Sequence, residues 1–245
     1  MKIKGIIFDL GSTLIRFTGD WSEIGRRSLA ALADELERRG LRLRREPFLR
    51  DLDRALHAYY QRRDEDYIEH TTASILCKVL ASHGVDRPGD EFIRPALEAM
   101  YAVSEQAWEP MPGLHEVLQA LRDSGRRLGM ISNAGDSHNV QRLIDKVGIR
   151  PYFDPILISA QEGIRKPHPE LFARVLAAWQ LPPERVVMVG DLLEADILGA
   201  QRAGIHQIWL KEAATIPESS SIVPETEAES LRQVPDIIRQ LEAKG

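Results

Sequence analysis

Four short segments of this chain carry side chains that can do chemistry. Gly5-Ile6-Ile7-Phe8 is an apolar run closed by a carboxylate, Asp9, after which the chain breaks into Gly11, Ser12 and Thr13. Downstream stand Ile131-Ser132-Asn133, Arg165-Lys166-Pro167 and Val189-Gly190-Asp191, the last followed closely by Asp196. Carboxylates brought together repel unless a cation sits between them, and oxygen donors of this kind suit Mg²⁺. A Mg²⁺ ion and a lysine together neutralise a phosphoryl group enough for a carboxylate to attack it. The residue types therefore point to phosphoryl transfer.

Such groups need elements that converge on one place. Ile3 to Leu10 is short, apolar and rich in Ile, the pattern of a strand buried on both faces. Arg126 to Asn133, Pro155 to Ser159, Val186 to Gly190 and His206 to Leu210 repeat it. Between them the spacing predicts helices over Gly113 to Ser124, Ser137 to Val147, Pro169 to Trp179 and Ala195 to Ala203, with Gly125, Gly148 and Gly204 where C-caps belong. Strands alternating with such helices imply a doubly wound, Rossmann-like α/β fold with a mostly parallel sheet. In that fold catalytic groups gather beyond the carboxyl ends of the strands. Asp9, Ser132 and Asp191 each sit at such an end, and Lys166 lies in a loop that can join them.

The stretch from Trp21 to Trp108 reads differently. Apolar residues recur there at helical spacing, as in Leu29, Leu32 and Leu36 or Phe92, Leu97, Met100 and Tyr101, with no strand between. This predicts a bundle of about four helices inserted into the α/β unit. The expected division is a core of residues 1–16 and 110–245 and a helical domain of 17–109. The polar stretch Thr215 to Thr226 is expected as a surface loop before a last helix, Ala228 to Lys244.

Composition narrows the class. With 245 residues and 43% hydrophobic content the chain can bury a core. A net charge of −5 argues against a nucleic-acid binder, and the arginine clusters at 38–39 and 42–45 are expected as a solvated face. A single cysteine, Cys77, permits no internal disulfide and is expected to pack in a helix. No stretch approaches the roughly 18 apolar residues of a membrane span, and no leader pattern opens the chain, so a soluble cytoplasmic protein is expected. Nothing in the sequence speaks to oligomeric state.

In these four motifs, in this order across essentially the whole chain, the sequence resembles the haloacid dehalogenase superfamily, in its members with a helical C1-type cap after the first motif. The resemblance implies a Mg²⁺-dependent phosphatase of a small phosphorylated substrate. Asp9 would be the nucleophile, forming an aspartyl-phosphate. Ser132 and the backbone at Asn133 would hold phosphoryl oxygens, and Lys166 would screen charge between nucleophile and phosphate. Asp191 and Asp196 would hold Mg²⁺ with Asp9 and the carbonyl of Gly11.

Position 11 departs from the superfamily pattern. Its phosphatases usually carry Asp there, which protonates the leaving group and then activates water; here it is Gly11. Such a group typically contributes about 10²- to 10⁴-fold, so acyl or aryl phosphates, whose leaving groups need no proton, are expected to suffer least. Ser12 is too weak an acid to substitute, whereas Asp20, Glu23 or His70 from the cap are open candidates. Two alternatives follow. A metal-independent dehalogenase is disfavoured by Gly11, where an aromatic Tyr is usual, and by the pair Asp191 and Asp196. A weak Mg²⁺- and phosphate-binding regulatory protein is the other. The superfamily's phosphonate-cleaving members need a cap lysine for a Schiff base, and the cap here is poor in lysine, Lys78 being the only clear candidate, which disfavours that chemistry. Arg16 is expected as a solvated linker residue, His168 as part of a rigid loop, and Trp21 and Trp108 as packing at the junctions.

Overall fold

A computed structural model describes residues 2–214 and 220–244. The chain opens with strand β1 (Gly5–Phe8), all four residues buried, and makes a tight turn into β2 (Ile15–Phe17). Four helices follow: α1 (Trp21–Arg38), α2 (Arg45–Arg62), α3 (Thr72–Ser82) and α4 (Asp90–Glu105). The chain returns through β3 (Trp108–Pro110), which pairs antiparallel with β2, Phe17 opposite Trp108. It then runs α5 (Leu114–Asp123), β4 (Arg127–Ser132), α6 (Ser137–Lys146), β5 (Ile156–Ile158) and a short α7 (Ser159–Glu162). The second half runs α8 (Pro169–Trp179), β6 (Val186–Gly190), α9 (Leu198–Arg202), β7 (His206–Leu210), β8 (Thr226–Ala228) and α10 (Val234–Lys244).

The main sheet has the order β5-β4-β1-β6-β7-β8, every pair parallel. Successive side chains of a strand point to opposite faces, and both faces here are apolar: Ile6 and Phe8 join one cluster with Val187 and Val189, while Ile7 joins another with Met188, Phe172 and Trp179. This is why the strands read as continuous apolar runs. From β1 the sheet grows one way through β4 and β5 and the other way through β6, β7 and β8. The crevice at that reversal lies between the carboxyl ends of β1, β4 and β6.

The four inserted helices enclose a separate apolar cluster. Leu32 and Leu36 of α1 meet Ile93, Leu97 and Met100 of α4, with Phe48, Leu52, Leu76 and Leu80 from the other two. Each set recurs at three- and four-residue steps, one stripe per helix, and burying a side chain of this size contributes about 1.5–3 kcal/mol. Cys77 packs against this cluster. At the junction with the sheet, Trp21 stacks on Phe17 with centroids 3.6 Å apart, and Trp108 meets Phe17 edge-on at 5.3 Å. Exposed Arg16 pairs with Glu109 across the β2–β3 ribbon.

Two expectations are corrected at the C-terminal end. The stretch expected as a loop up to Thr226 ends in an edge strand, β8, and the last helix begins at Val234, not at Ala228. A strand of three residues at an edge is too short to leave a period in the sequence. Residues 215–219, within that expected loop, lie outside the described residues. The helix expected over Ala195 to Ala203 is a wide π-type turn, Leu193–Ile197, leading into α9. No described helix is long and apolar enough to cross a membrane.

Candidate active site

Asp9 follows β1 directly, and its N–H donates to the carbonyl of Val189 on β6 (3.0 Å). The chain then folds back on itself. Leu14 and Ile15 donate to the carbonyl of Leu10, Ser12 donates to Ile15, and Ser12 takes the left-handed conformation (φ 59°). This turn buries Thr13, whose hydroxyl donates to Asp191 Oδ1 (3.2 Å). Asp191 follows β6, and its carbonyl accepts from the indole N–H of Trp209 on neighbouring β7 (2.8 Å).

Asp196 enters from the π-type turn. Its Oδ2 accepts from the N–H of Leu192 (3.0 Å), while Oδ1 faces Lys166. One carboxylate thus caps its own turn and serves the site. Wide turns of this kind are frequent at functional sites. Asp196 packs so closely on β6 that a Cβ at Gly190 would lie 2.3 Å from its carboxyl carbon. Position 190 must therefore be glycine.

Lys166 completes the group. Its Nζ donates to Asp9 Oδ1 and to Asp196 Oδ1, both at 2.6 Å, and its side chain is 1% exposed. Asn133 places it: the Asn133 amide accepts from the N–H of Lys166 (2.8 Å) and donates to its carbonyl (2.9 Å). Asn133 was expected to face phosphate through its backbone, and its side chain holds the lysine loop. Ser132 sits buried at the end of β4, in register with Ile158 of β5.

Electrostatics set the charge balance of the cluster. Oxygens of Asp9, Asp191 and Asp196 lie within 4.8 Å of one another, and all three residues are buried. Burial, the nearby Asp196 and only partial relief from Lys166 push Asp9 up to about 6. Burial together with Asp9 and Asp196 pushes Asp191 up to about 8. Burial alone would lower the Lys166 ammonium, but Asp196 and Asp9 outweigh it and hold it above the ordinary lysine value. Three buried acids share one cation, so the set has room for a second positive charge.

Gly11 leaves the other side of the turn open. A Cβ there would be 3.5 Å from Cη2 of Trp108, ordinary contact, so the space beside it is bounded by the indole edge. The open candidates to stand in for its missing side chain each have contacts within the inserted helices and their junction. Asp20 caps α1 by accepting from the N–H of Glu23 (2.8 Å), Glu23 pairs with Arg27, and the exposed His70 packs its ring on Tyr59. Lys78 is exposed on α3. A groove of about 720 Å³ on the inserted helices, lined in part by Arg54, Arg62, His70 and Lys78, includes none of the clustered residues. His168 caps α8 through its ring nitrogen (3.3 Å from the N–H of Glu170).

Sequence reasoning passed over Thr13, Trp209 and Glu69. Thr13 offered a signal, a hydroxyl just past a strand-end carboxylate. The others offered none, because Trp209 reads as strand core and Glu69 as one more acid in a polar loop.

Known proteins resemble the chain in sequence and in fold. The chain is 26% identical over 244 residues to the glyceraldehyde 3-phosphate phosphatase of Methanopyrus kandleri, covering 98% of each sequence. Its fold matches the 2-haloacid dehalogenase of Pseudomonas syringae at TM-score 0.68 and 25% identity, covering 98% of this chain and 99% of that one. It matches the putative HAD-hydrolase YfnB of Bacillus subtilis, solved with bound magnesium, at TM-score 0.62 and 21% identity over 97% and 99% of the two chains. The profile of the haloacid dehalogenase-like hydrolases spans residues 3–204, placing all four motifs inside the match, and the chain belongs to that family of hydrolases.

Proposed function

We propose that the protein is a Mg²⁺-dependent phosphatase of a small phosphorylated metabolite, most active where the leaving group departs without a proton. The buried group Asp9, Lys166, Asp191 and Asp196 carries this reading. The full-length likeness to a phosphatase of Methanopyrus kandleri supports the phosphatase part of it, and the preference for such leaving groups rests on Gly11 alone.

The donor set fits Mg²⁺, since Asp9 and Asp191, both raised by burial and neighbouring carboxylates, and Asp196 beside them are hard oxygen ligands whose charge Lys166 only partly balances. Asp9, Asp191 and Asp196 would hold the ion with the carbonyl of Gly11. Bound there, it would neutralise phosphoryl charge as a Lewis acid.

The chain's own residues do the rest. Asp9 attacks phosphorus through a carboxylate oxygen, the bond from phosphorus to the leaving oxygen breaks, and its electron pair departs with that oxygen. Water then attacks the aspartyl-phosphate, which releases phosphate and restores Asp9. Lys166 stays protonated and counters charge at Asp9 and at the transferring group. Ser132 and the backbone at Asn133 hold phosphoryl oxygens, and the inserted helices act as a cap that excludes water. No side chain at position 11 donates to the leaving oxygen, which favours acyl and aryl phosphates over sugar phosphates.

The test is phosphate release from acetyl phosphate, an aryl phosphate and sugar phosphates, with Mg²⁺ or EDTA, for wild type and Asp9→Asn. Expected is multiple turnover on the first two, lost with EDTA and in Asp9→Asn. The likeness to the Pseudomonas syringae dehalogenase supports a second reading. Halide release from a 2-haloacid, unaffected by EDTA, would replace the first reading with that one.

A further inference from the structure

Glu69, in the loop between α2 and α3, has a side chain 1% exposed, yet among the described residues it stands outside the cluster of Asp9, Asp191 and Asp196. Its partners come from both sides of the molecule. The Tyr59 hydroxyl on α2 donates to Oε1 (2.5 Å), and the Ser159 hydroxyl, at the start of α7 beside the sheet, donates to Oε2 (2.7 Å). Arg165 reaches Oε2 at 3.6 Å and donates to the Tyr59 hydroxyl at 3.0 Å. Arg165 is itself buried, and its Nε makes no hydrogen bond among the described residues, lying 3.5 Å from Asp64.

The backbone repeats this junction. Glu69 N–H donates to Gly163, Arg165 N–H donates to Tyr67, and Ile68 bridges Ile164 antiparallel. The loop before α3 thus lies as a strand partner against the residues that precede Lys166. On the other side, Ser159 Oγ accepts from the N–H of Ala134 (2.8 Å), which follows Ser132 and Asn133. Thr72 N–H donates to Gly135, where a Cβ would lie 2.7 Å from the Thr72 hydroxyl, and Arg94 pairs with Asp136.

These contacts of the inserted helices therefore fall beside the two loops that carry Ser132, Asn133 and Lys166. We propose that Glu69 is a positioning residue: by holding Ser159 and Arg165 together, it makes seating of the inserted helices set the placement of Lys166 and the Ser132–Asn133 loop. This rests on the phosphatase reading of the site. While the helices are seated, losing either partner would leave this carboxylate buried and under-bonded, so Ser159 and Arg165 are held in place together. With the helices swung away, Glu69 is rehydrated and both loops lose their anchor. The metal-binding carboxylates stand on the strand ends and the π-type turn, outside this junction.

The test compares full-length wild type, Glu69→Gln and Glu69→Asp. Calorimetry measures Mg²⁺ binding alone and orthovanadate binding with Mg²⁺ present, and kinetics give kcat and KM on an aryl phosphate. Glu69→Gln is expected to bind Mg²⁺ within about twofold of wild type, to lose about tenfold in vanadate affinity and to lose about tenfold in kcat. Glu69→Asp is expected to recover part of both losses. Unchanged vanadate affinity and kcat, with only a lower Tm, would overturn the proposal, as would parallel loss of Mg²⁺ and vanadate binding. If wild type neither turns over nor binds vanadate, the phosphatase reading fails by itself. Amide exchange then decides the coupling: faster exchange at 132–135 and 163–167 in Glu69→Gln supports it, and unchanged exchange sinks it.

Discussion

At position 11 the chain presents a backbone and a gap. The neighbouring Trp108 edge stands at ordinary van der Waals distance from where a Cβ would be, and the backbone there is not left-handed. A side chain can therefore be restored without rebuilding the turn. Gly11→Asp is expected to raise turnover of sugar phosphates by about 10²-fold, the lower end of what a positioned acid or base contributes. Aryl phosphate turnover should change far less, since its leaving group needs no proton. Comparing kcat/KM on the two substrates checks this; equal effects on both would count against a role in leaving-group protonation.

The elements matter through the loops at their ends. β4 ends in Ser132, and the next residue, Asn133, grips both backbone groups of Lys166 across to the loop before α8. Asn133→Ala removes both bonds and leaves buried backbone groups unpaired, at a cost of about 1–3 kcal/mol. At about 2–4 °C per kcal/mol for a chain of this size, Tm should fall by several degrees. Activity should fall by more than the folded fraction does, with Mg²⁺ affinity retained, because the lysine moves while the acids stay. Titration calorimetry beside thermal melts distinguishes that from simple destabilisation. The apolar runs of β1, β4, β6 and β7 were legible because strands buried on both faces leave no other pattern. β8 and the π-type turn were not: three residues are too few to show a period, and a widened turn has the same composition as an ordinary helix.

For the molecule as a whole, the buried acids make stability depend on pH and, on the proposed reading, on Mg²⁺ as well. Asp9 and Asp191 have folded-state values near 6 and 8, against an ordinary 3.8. Well below the unfolded value of 3.8 both are protonated folded or unfolded and contribute no difference. As pH rises toward 8, the unfolded chain releases protons that the folded site retains, so without metal these groups destabilise progressively. On the proposed reading, Mg²⁺ bound to the deprotonated site would oppose that loss. The rise in Tm on adding Mg²⁺ is therefore expected to be larger at pH 8 than at pH 6, which melts at matched ionic strength would measure. An equal rise at both values would argue that the acids do not form the binding site. Asp191→Asn should reduce the rise at either pH.

Residue type and order along the chain were enough to establish the alternation of strands and helices, the inserted bundle and the strand-end positions of Asp9, Ser132 and Asp191. These follow from local chemistry, from side-chain period and from the rule that a parallel sheet delivers its loops to one edge. Tertiary structure alone decided which partners each group finds. It set one oxygen of Asp196 on its own turn and the other on Lys166, closed Asn133 onto the lysine backbone, laid Trp108 beside Gly11 and buried Glu69 between Tyr59, Ser159 and Arg165. Those pairs lie far apart in sequence, and no local pattern encodes a contact made only when the chain closes on itself.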